Sequence, residues 1–176
     1  MYLKKHLKIL IFFFFFIYGN SINANERIYY VDIDYLVNNS TAGILINNEI
    51  EQKNQKYIKK FKKIEEDLLA EEVKLISQKN ILKSKEFNEK IKDLKKKITD
   101  YRSTKNIDFK KLSQSKIDAQ STLINSLRLL LSNYAKENSV SLILPKKNII
   151  IGKTEMDITK NILDKLNKKI KEIKIK

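Results

Sequence analysis

The sequence has 176 residues and a formal net charge of +15, from 36 Lys and Arg against 21 Asp and Glu. It contains no cysteine, and its only histidine, His6, lies near the N-terminus, which excludes histidine- or thiolate-dependent zinc sites, catalytic triads and disulfides from the rest of the chain. Only three glycines occur, so no glycine-rich phosphate loop can form, and we expect no catalytic residue, no cofactor and no enzymatic activity.

The first 24 residues have the organisation of a secretory signal peptide. Three lysines precede ten apolar residues, Ile9 to Tyr18, and a short polar stretch ends at Ala24, where we expect cleavage. A membrane anchor is the alternative, but this apolar run is only about half of the roughly 20 residues that a spanning helix needs. The exported chain would keep 33 basic and 21 acidic residues, a net charge of +12.

The segment after the predicted cleavage site begins with a strand. Arg27 to Ile33 is rich in β-branched and aromatic residues, which favour strands. We expect a helical turn over Asp34 to Val37 and then a loop that ends near Gly43. Ser40 or Thr41 is suited to cap the helix that follows.

Between Gly43 and Pro145 the chain has neither glycine nor proline. Apolar residues recur there at alternating spacings of three and four on an otherwise charged background, a pattern typical of coiled coils. The stripe consists of Tyr57, Phe61, Ile64, Leu68, Leu75, Leu82, Phe87, Ile91, Leu94, Ile98, Tyr101, Phe109, Leu112, Ile117, Ile124, Leu127, Leu131 and Tyr134.

The stripe predicts an antiparallel helical hairpin over residues 44–137 with its tip near residues 80–88. When the chain is folded at about residue 83, apolar residues face one another in mirror order, and an acidic block comes level with a basic one. The predicted apolar pairs are Leu75 with Ile91, Leu68 with Ile98, Ile64 with Tyr101, Tyr57 with Phe109, and Ile50 with Ile117. The predicted charge blocks are Glu65, Glu66, Asp67, Glu71 and Glu72 against Lys95, Lys96, Lys97 and Arg102.

Both ends of the chain, residues 25–43 and 138–176, are predicted to form one small body. Val140 to Leu144 and Ile149 to Ile151 are expected to be strands of a hairpin that turns at Pro145 to Asn148, and an amphipathic helix starts at Asp157 or Thr159. The fold class is therefore α+β, with the helical arm inserted into the body. Because three strands make a poor core, we expect the body to associate with other copies. The candidate residues for this contact are Ile28, Tyr30, Leu142, Leu144, Ile149 and Ile151.

Lysines are concentrated on the arm: residues 74–97 hold nine lysines and three acids. One interpretation is a solvated coiled-coil face, and the other is a positive surface that attracts acidic partners. The arm lacks the arginines and exposed aromatics that nucleic-acid binding uses, which leaves anionic membrane surfaces and acidic unfolded polypeptides. The candidate partner-facing lysines are Lys74, Lys79, Lys83, Lys85, Lys90 and Lys92. Apolar residues outside the hairpin register offer further contacts, or packing near the base, namely Ile58, Leu69, Val73, Ile76, Ile81, Ile107, Leu129 and Leu130.

Two terminal motifs resemble the Skp (OmpH) family of periplasmic chaperones for outer-membrane proteins. They are Ile28-Tyr-Tyr-Val-Asp-Ile-Asp34, with the following Leu36 and Asn38 to Gly43, and Ser141-Leu-Ile-Leu-Pro-Lys-Lys-Asn-Ile-Ile-Ile-Gly152, which leads to Met156-Asp-Ile-Thr159. This resemblance implies a periplasmic homotrimer whose three helical arms surround a cavity. It further implies that the cavity holds unfolded outer-membrane proteins without ATP.

The sequence thus supports two hypotheses of different classes. The first is an ATP-independent holding chaperone for unfolded outer-membrane proteins. The alternative is a structural coiled-coil protein that spaces or tethers layers of the cell envelope.

Overall fold

The structure is a computed structural model that describes residues 26–175. The predicted signal peptide lies outside the described residues. In the described part, strand β1 is followed by three α-helices, a second strand, two 3-10 turns and a fourth α-helix. The elements are β1 (Arg27–Val31), α1 (Ile33–Asn39), α2 (Thr41–Ser77), α3 (Ser84–Glu137), β2 (Val140–Pro145), 3-10 turns at Lys146–Asn148 and Thr154–Met156, and α4 (Thr159–Lys169).

The long helices α2 and α3 form an antiparallel hairpin. The small sheet and the short helices are formed by the two ends of the chain. The predicted α+β class with a long inserted helical hairpin is confirmed. Helix α2 has 37 residues, which at 1.5 Å per residue corresponds to about 55 Å. The turn between the helices occupies residues 78–83, so residues 84–88 belong to the first turns of α3.

Contacts between α2 and α3 confirm the predicted mirror register. The rings of Tyr57 and Phe109 meet edge to face with centroids 6.0 Å apart. The ammonium of Lys97 contacts both carboxylate oxygens of Glu71, at 2.7 and 2.9 Å, as the predicted charge blocks require. Each of these pairs joins residues at nearly equal distances from the turn.

The predicted pairing of Ile50 with Ile117 near the base is wrong, because Ile117 does not lie in the seam and is 51% exposed. The buried face of α3 there runs through Leu112, Ala119, Leu123 and Leu127 instead. The seam leaves the arm register because α3 also packs against the body at this level. Leu130, which the sequence placed outside the register, is buried in that body core, as suggested for packing near the base, whereas Leu129 is exposed.

The sheet has two parallel strands, and the predicted hairpin of Val140–Leu144 with Ile149–Ile151 is wrong. Strand β2 pairs with β1, with Ile28 opposite Leu142 and Tyr30 opposite Leu144. After Pro145 the chain forms a 3-10 turn rather than a tight hairpin. On the other side of β1, the backbone N–H of Ile158 donates to the Tyr30 carbonyl at 3.0 Å. Both edges of β1 are therefore used, and Ile149–Ile151 remains outside the sheet.

The body core lies where β1, α1, α4 and the basal parts of α2 and α3 meet. Its buried side chains include Val31, Leu36, Ile46, Leu123 and Ile162, each at most 1% exposed. Helix α4 also contributes a polar contact, since the side-chain oxygen of Asn167 accepts a hydrogen bond from the first amide of α2 at 2.8 Å. The arm is thus fixed to the body by its base alone.

The start of α2 depends on a close approach to α1. Ser40 is fully buried, and its hydroxyl oxygen accepts a hydrogen bond from the Gly43 amide at 3.2 Å, which confirms Ser40 as the N-cap. Gly43 lies inside α2 rather than in a loop. A Cβ at this position would lie 1.8 Å from the carbonyl oxygen of Val37, so only glycine lets the two helices meet here.

Gly43→Ala should lower the free energy of unfolding by about 1–3 kcal/mol, the usual cost of overpacking a tight contact. At an open helical position the same change would be stabilising by up to about 1 kcal/mol, so the sign itself is diagnostic. Urea unfolding followed by circular dichroism measures this difference. Asn48→Ala, on the exposed side of the same helix, serves as the control, and an unchanged or higher midpoint for Gly43→Ala would contradict the close approach.

A polar cluster ties the loop after β2 to the start of α4. Asp157 accepts hydrogen bonds from the Lys146 ammonium at 2.8 Å and from the Thr159 amide at 3.0 Å. The Thr159 hydroxyl donates a hydrogen bond to Asp157, and its oxygen accepts a hydrogen bond from the backbone N–H of Asp32 at 2.9 Å. Partial burial alone would raise the pKa of Asp157, but the bonds from Lys146 and Thr159 outweigh it and hold the pKa below its ordinary value of 3.8. The same contact raises the pKa of Lys146.

Asp157→Asn should therefore reduce stability at neutral pH and not in strong acid. A carboxyl whose pKa is lower in the folded chain stabilises above its unfolded pKa, and it loses this contribution as the pH falls through the folded pKa. Urea midpoints of wild type and variant should differ at pH 7 and converge as the pH falls below 3.8 and through the folded pKa. Asp164→Asn, which removes the same charge from an exposed position of α4, is the matched control. A constant gap at all pH values would contradict the role of the charge.

Candidate functional site

Within residues 26–175 no cluster of His, Cys, Asp and Glu side chains could hold a metal ion. None of the helices in this range is long and apolar enough to cross a membrane. Exposed aliphatic side chains and lysines lie along the helical arm, which is therefore the candidate functional site.

An aromatic cluster in the middle of the arm fixes the two helices to each other. Phe61 is 1% exposed and lies 6.0 Å from Tyr101 and 5.8 Å from Phe109, measured between ring centroids. The Lys105 ammonium donates to the Tyr101 hydroxyl at 3.0 Å, and that hydroxyl donates to Glu65 at 3.1 Å. The bond to Tyr101 raises the pKa of Lys105, which favours its charged form. The cluster holds the distal arm in a defined orientation.

The six lysines predicted to face a partner are all exposed, around the turn and the helical turns next to it. Lys90 lies 3.8 Å from Glu86, a weak pair on the same helix. The other five, Lys74, Lys79, Lys83, Lys85 and Lys92, form no ion pair within the described residues. Closer to the base, lysines are neutralised more often, as by the Lys60–Asp108 contact at 3.0 Å. Uncompensated positive charge is therefore concentrated at the far end of the arm.

The structure brings two of these lysines into one hollow on one side of the hairpin. Lys74 of α2 and Lys90 of α3 line a space of about 510 Å³, together with further charged side chains of both signs. The remaining lining residues are Glu71, Leu75, Gln78, Asp93, Lys96, Lys97 and Asp100. This side of the arm is mainly polar, and a difference between the two sides of the hairpin was not predicted from the sequence.

Most apolar residues outside the predicted register are exposed on the arm. Leu69, Val73 and Ile76 of α2 are 60–64% exposed, and Ile81 in the turn is 79% exposed. Ile58 and Ile107 are also exposed, at 44% and 48%. Because charged and exposed aliphatic side chains alternate, the arm can form both ionic and apolar contacts with a partner. The sequence signal for the exposed aliphatic residues was their position outside the hairpin register.

The residues predicted to join copies of the body fall into two groups. Tyr30 is buried within the chain, where its ring lies against Gly152 and its hydroxyl donates to the Lys153 carbonyl at 3.2 Å. Ile28, Leu142 and Ile151 are exposed, at 36%, 47% and 91%, while Leu144 and Ile149 are half-buried. Ile150, which was not among the candidates, is 98% exposed.

The fold is that of an α+β protein with a small body formed by the two chain ends and one long helical hairpin that protrudes from it. The family model of the OmpH-like outer membrane proteins matches residues 27–166, so the chain belongs to the OmpH-like family. The fold also matches the crystal structure of an OmpH-like protein from Caulobacter crescentus CB15, with a TM-score of 0.79. The two chains are 16% identical, and the match covers 89% of this chain and 92% of that one. Comparison with curated protein sequences gives no match.

Proposed function

We propose that this protein is an ATP-independent holding chaperone that binds unfolded outer-membrane proteins in the periplasm, with no enzymatic activity. The observation that carries the proposal is the distal arm, where unpaired lysines surround exposed aliphatic side chains. Family membership and the predicted signal peptide support the same role and location.

The two kinds of side chain divide the task of capture. Clustered positive charge raises the encounter rate with acidic polypeptides, and this effect weakens as salt screens it. Exposed aliphatic side chains then bury apolar segments of the client, at about 25 cal/mol for each Å² removed from water. Each contact is weak, so a client is held by many of them and released without an energy source.

We further propose that three copies associate through their bodies and place the arms around a common cavity. A two-stranded sheet is too small to be stable without further packing, and the exposed Ile28, Leu142, Ile150 and Ile151 provide apolar surface for it. The number three is what the resemblance to the Skp family implies. Three arms would enclose a client on several sides, which one arm cannot do. Anionic lipid headgroups are a second acidic surface that the arms could contact.

The exported chain should keep a urea-unfolded outer-membrane β-barrel protein soluble when the two are diluted together from denaturant, as measured by light scattering. Salt should weaken the effect, because the Debye length falls from about 30 Å at 0.01 M to about 10 Å at 0.1 M. The lack of any suppression at several-fold excess would contradict the proposal.

A charge-matched pair of variants locates the effect on the arm. The first replaces Lys79, Lys83, Lys85 and Lys92 by glutamine, and the second replaces Lys147, Lys153, Lys160 and Lys171 of the body, so both lose the same charge. We expect slower capture for the arm variant only. Equal capture by the two variants would show that net charge alone attracts the client.

A further inference from the structure

The two sides of the distal hairpin differ in chemistry. Opposite the charged hollow, two smaller hollows lie along the junction of α2 and α3. The one nearer the turn has a volume of about 210 Å³ and is lined mainly by apolar side chains, among them Ile76, Phe87 and Ile91. The one nearer the base has about 200 Å³ and is lined by residues that include Leu69 and Tyr101.

The two hollows are adjacent, because Glu72 and Ile98 line both, and together we call them the groove. The groove walls carry opposite charges: Glu65 and Glu72 stand on α2, and Lys95 and Arg102 stand on α3. The floor consists of side chains of the seam that the partner helix covers only in part. The groove spans residues 65–76 of α2, which corresponds to about 16 Å along the helix.

We propose that this groove, from Glu65 to Ile76 on α2 and from Phe87 to Arg102 on α3, is the docking site for apolar side chains of an extended, acidic polypeptide. The inference rests on the proposed chaperone function and specifies which face of the arm meets the client. The hollow volumes, each of about 200 Å³, suit one large aliphatic or aromatic side chain apiece. Side chains on one face of an extended chain repeat every 6–7 Å or so, which lets neighbouring side chains reach both hollows.

The excess of lysines around the turn argues against a second copy of the arm as the molecule that fills the groove. Residues 74–97 carry nine lysines and three acids, so two arms laid side by side would bring together two strongly positive surfaces. Two shallow hollows also offer far less area than the roughly 1,200–2,000 Å² that a stable protein interface buries. An unfolded client with acidic and apolar residues meets both conditions, because it binds through many weak contacts.

Leu69→Ser with Ile76→Ser tests the site, using the urea-unfolded outer-membrane β-barrel protein as the probe. Both side chains are more than 60% exposed, so the double change should leave the circular dichroism and the unfolding midpoint unaltered. We expect the dissociation rate of the probe to rise about tenfold with an unchanged association rate, because lost apolar contacts act after encounter. Ile58→Ser with Ile107→Ser is the matched control: both residues are exposed on the arm, at 44% and 48%, and both lie outside residues 65–76 and 87–102 that form the groove.

A fluorescent probe gives a readout that does not depend on loss of function. Because the chain has no cysteine, Ile76→Cys and Ile107→Cys each provide one position for an environment-sensitive dye. Adding the unfolded probe should shift the emission to the blue at position 76 and leave position 107 unchanged.

The possible results separate the two proposals. Wild-type capture with equal dissociation rates for the groove variant and its control, or equal dye shifts at both positions, would overturn the groove and leave the chaperone function intact. Failure of the wild type to bind the probe would overturn both.

Discussion

The two long helices share a single narrow apolar seam, and the rest of the molecule depends on it. Along the arm itself few side chains are buried, namely Phe61 and Leu75 of α2 and Leu94 and Leu112 of α3, and no other described element covers the outer faces. A seam this narrow keeps the helices together and leaves most of each helix in water. Both sides of the hairpin are therefore open: one is charged, and the other is largely apolar. The surfaces available for binding result directly from how little the arm buries.

The body solves the opposite problem, because it must fix the arm with few residues. Buried side chains from both chain ends enclose the base of the hairpin, and Gly43, Asn167 and the Asp157 cluster set the positions of the elements around it. The close contact at Gly43 fixes where the arm starts, and the mid-arm aromatic cluster carries this orientation outward. A rigid base with an open arm suits a protein that holds other chains rather than converts them.

The sequence was sufficient to predict the arm and most elements of the body, but not how the body strands pair. The arm is governed by local periodicity, so the pairing of Tyr57 with Phe109 and of Glu71 with Lys97 followed from spacing alone. Near the base, contacts between segments that are distant in sequence determine which face of α3 is buried. Ala119 and Leu123 are buried there, and Ile117 is exposed. The expected hairpin with Ile149–Ile151 does not form: β2 pairs instead with the distant strand β1, and the chain enters a 3-10 turn directly after Pro145. The apolar groove was not predictable either, since it depends on how far each helix covers the other.

The central claim is that these arms act together, around one client, on a body of associated copies. Sedimentation velocity of the exported chain, alone and with an unfolded outer-membrane β-barrel protein, tests this claim most directly. The account predicts a discrete trimer that gains the mass of a single client. A monomer, or open-ended polymers whose size does not respond to the client, would contradict it.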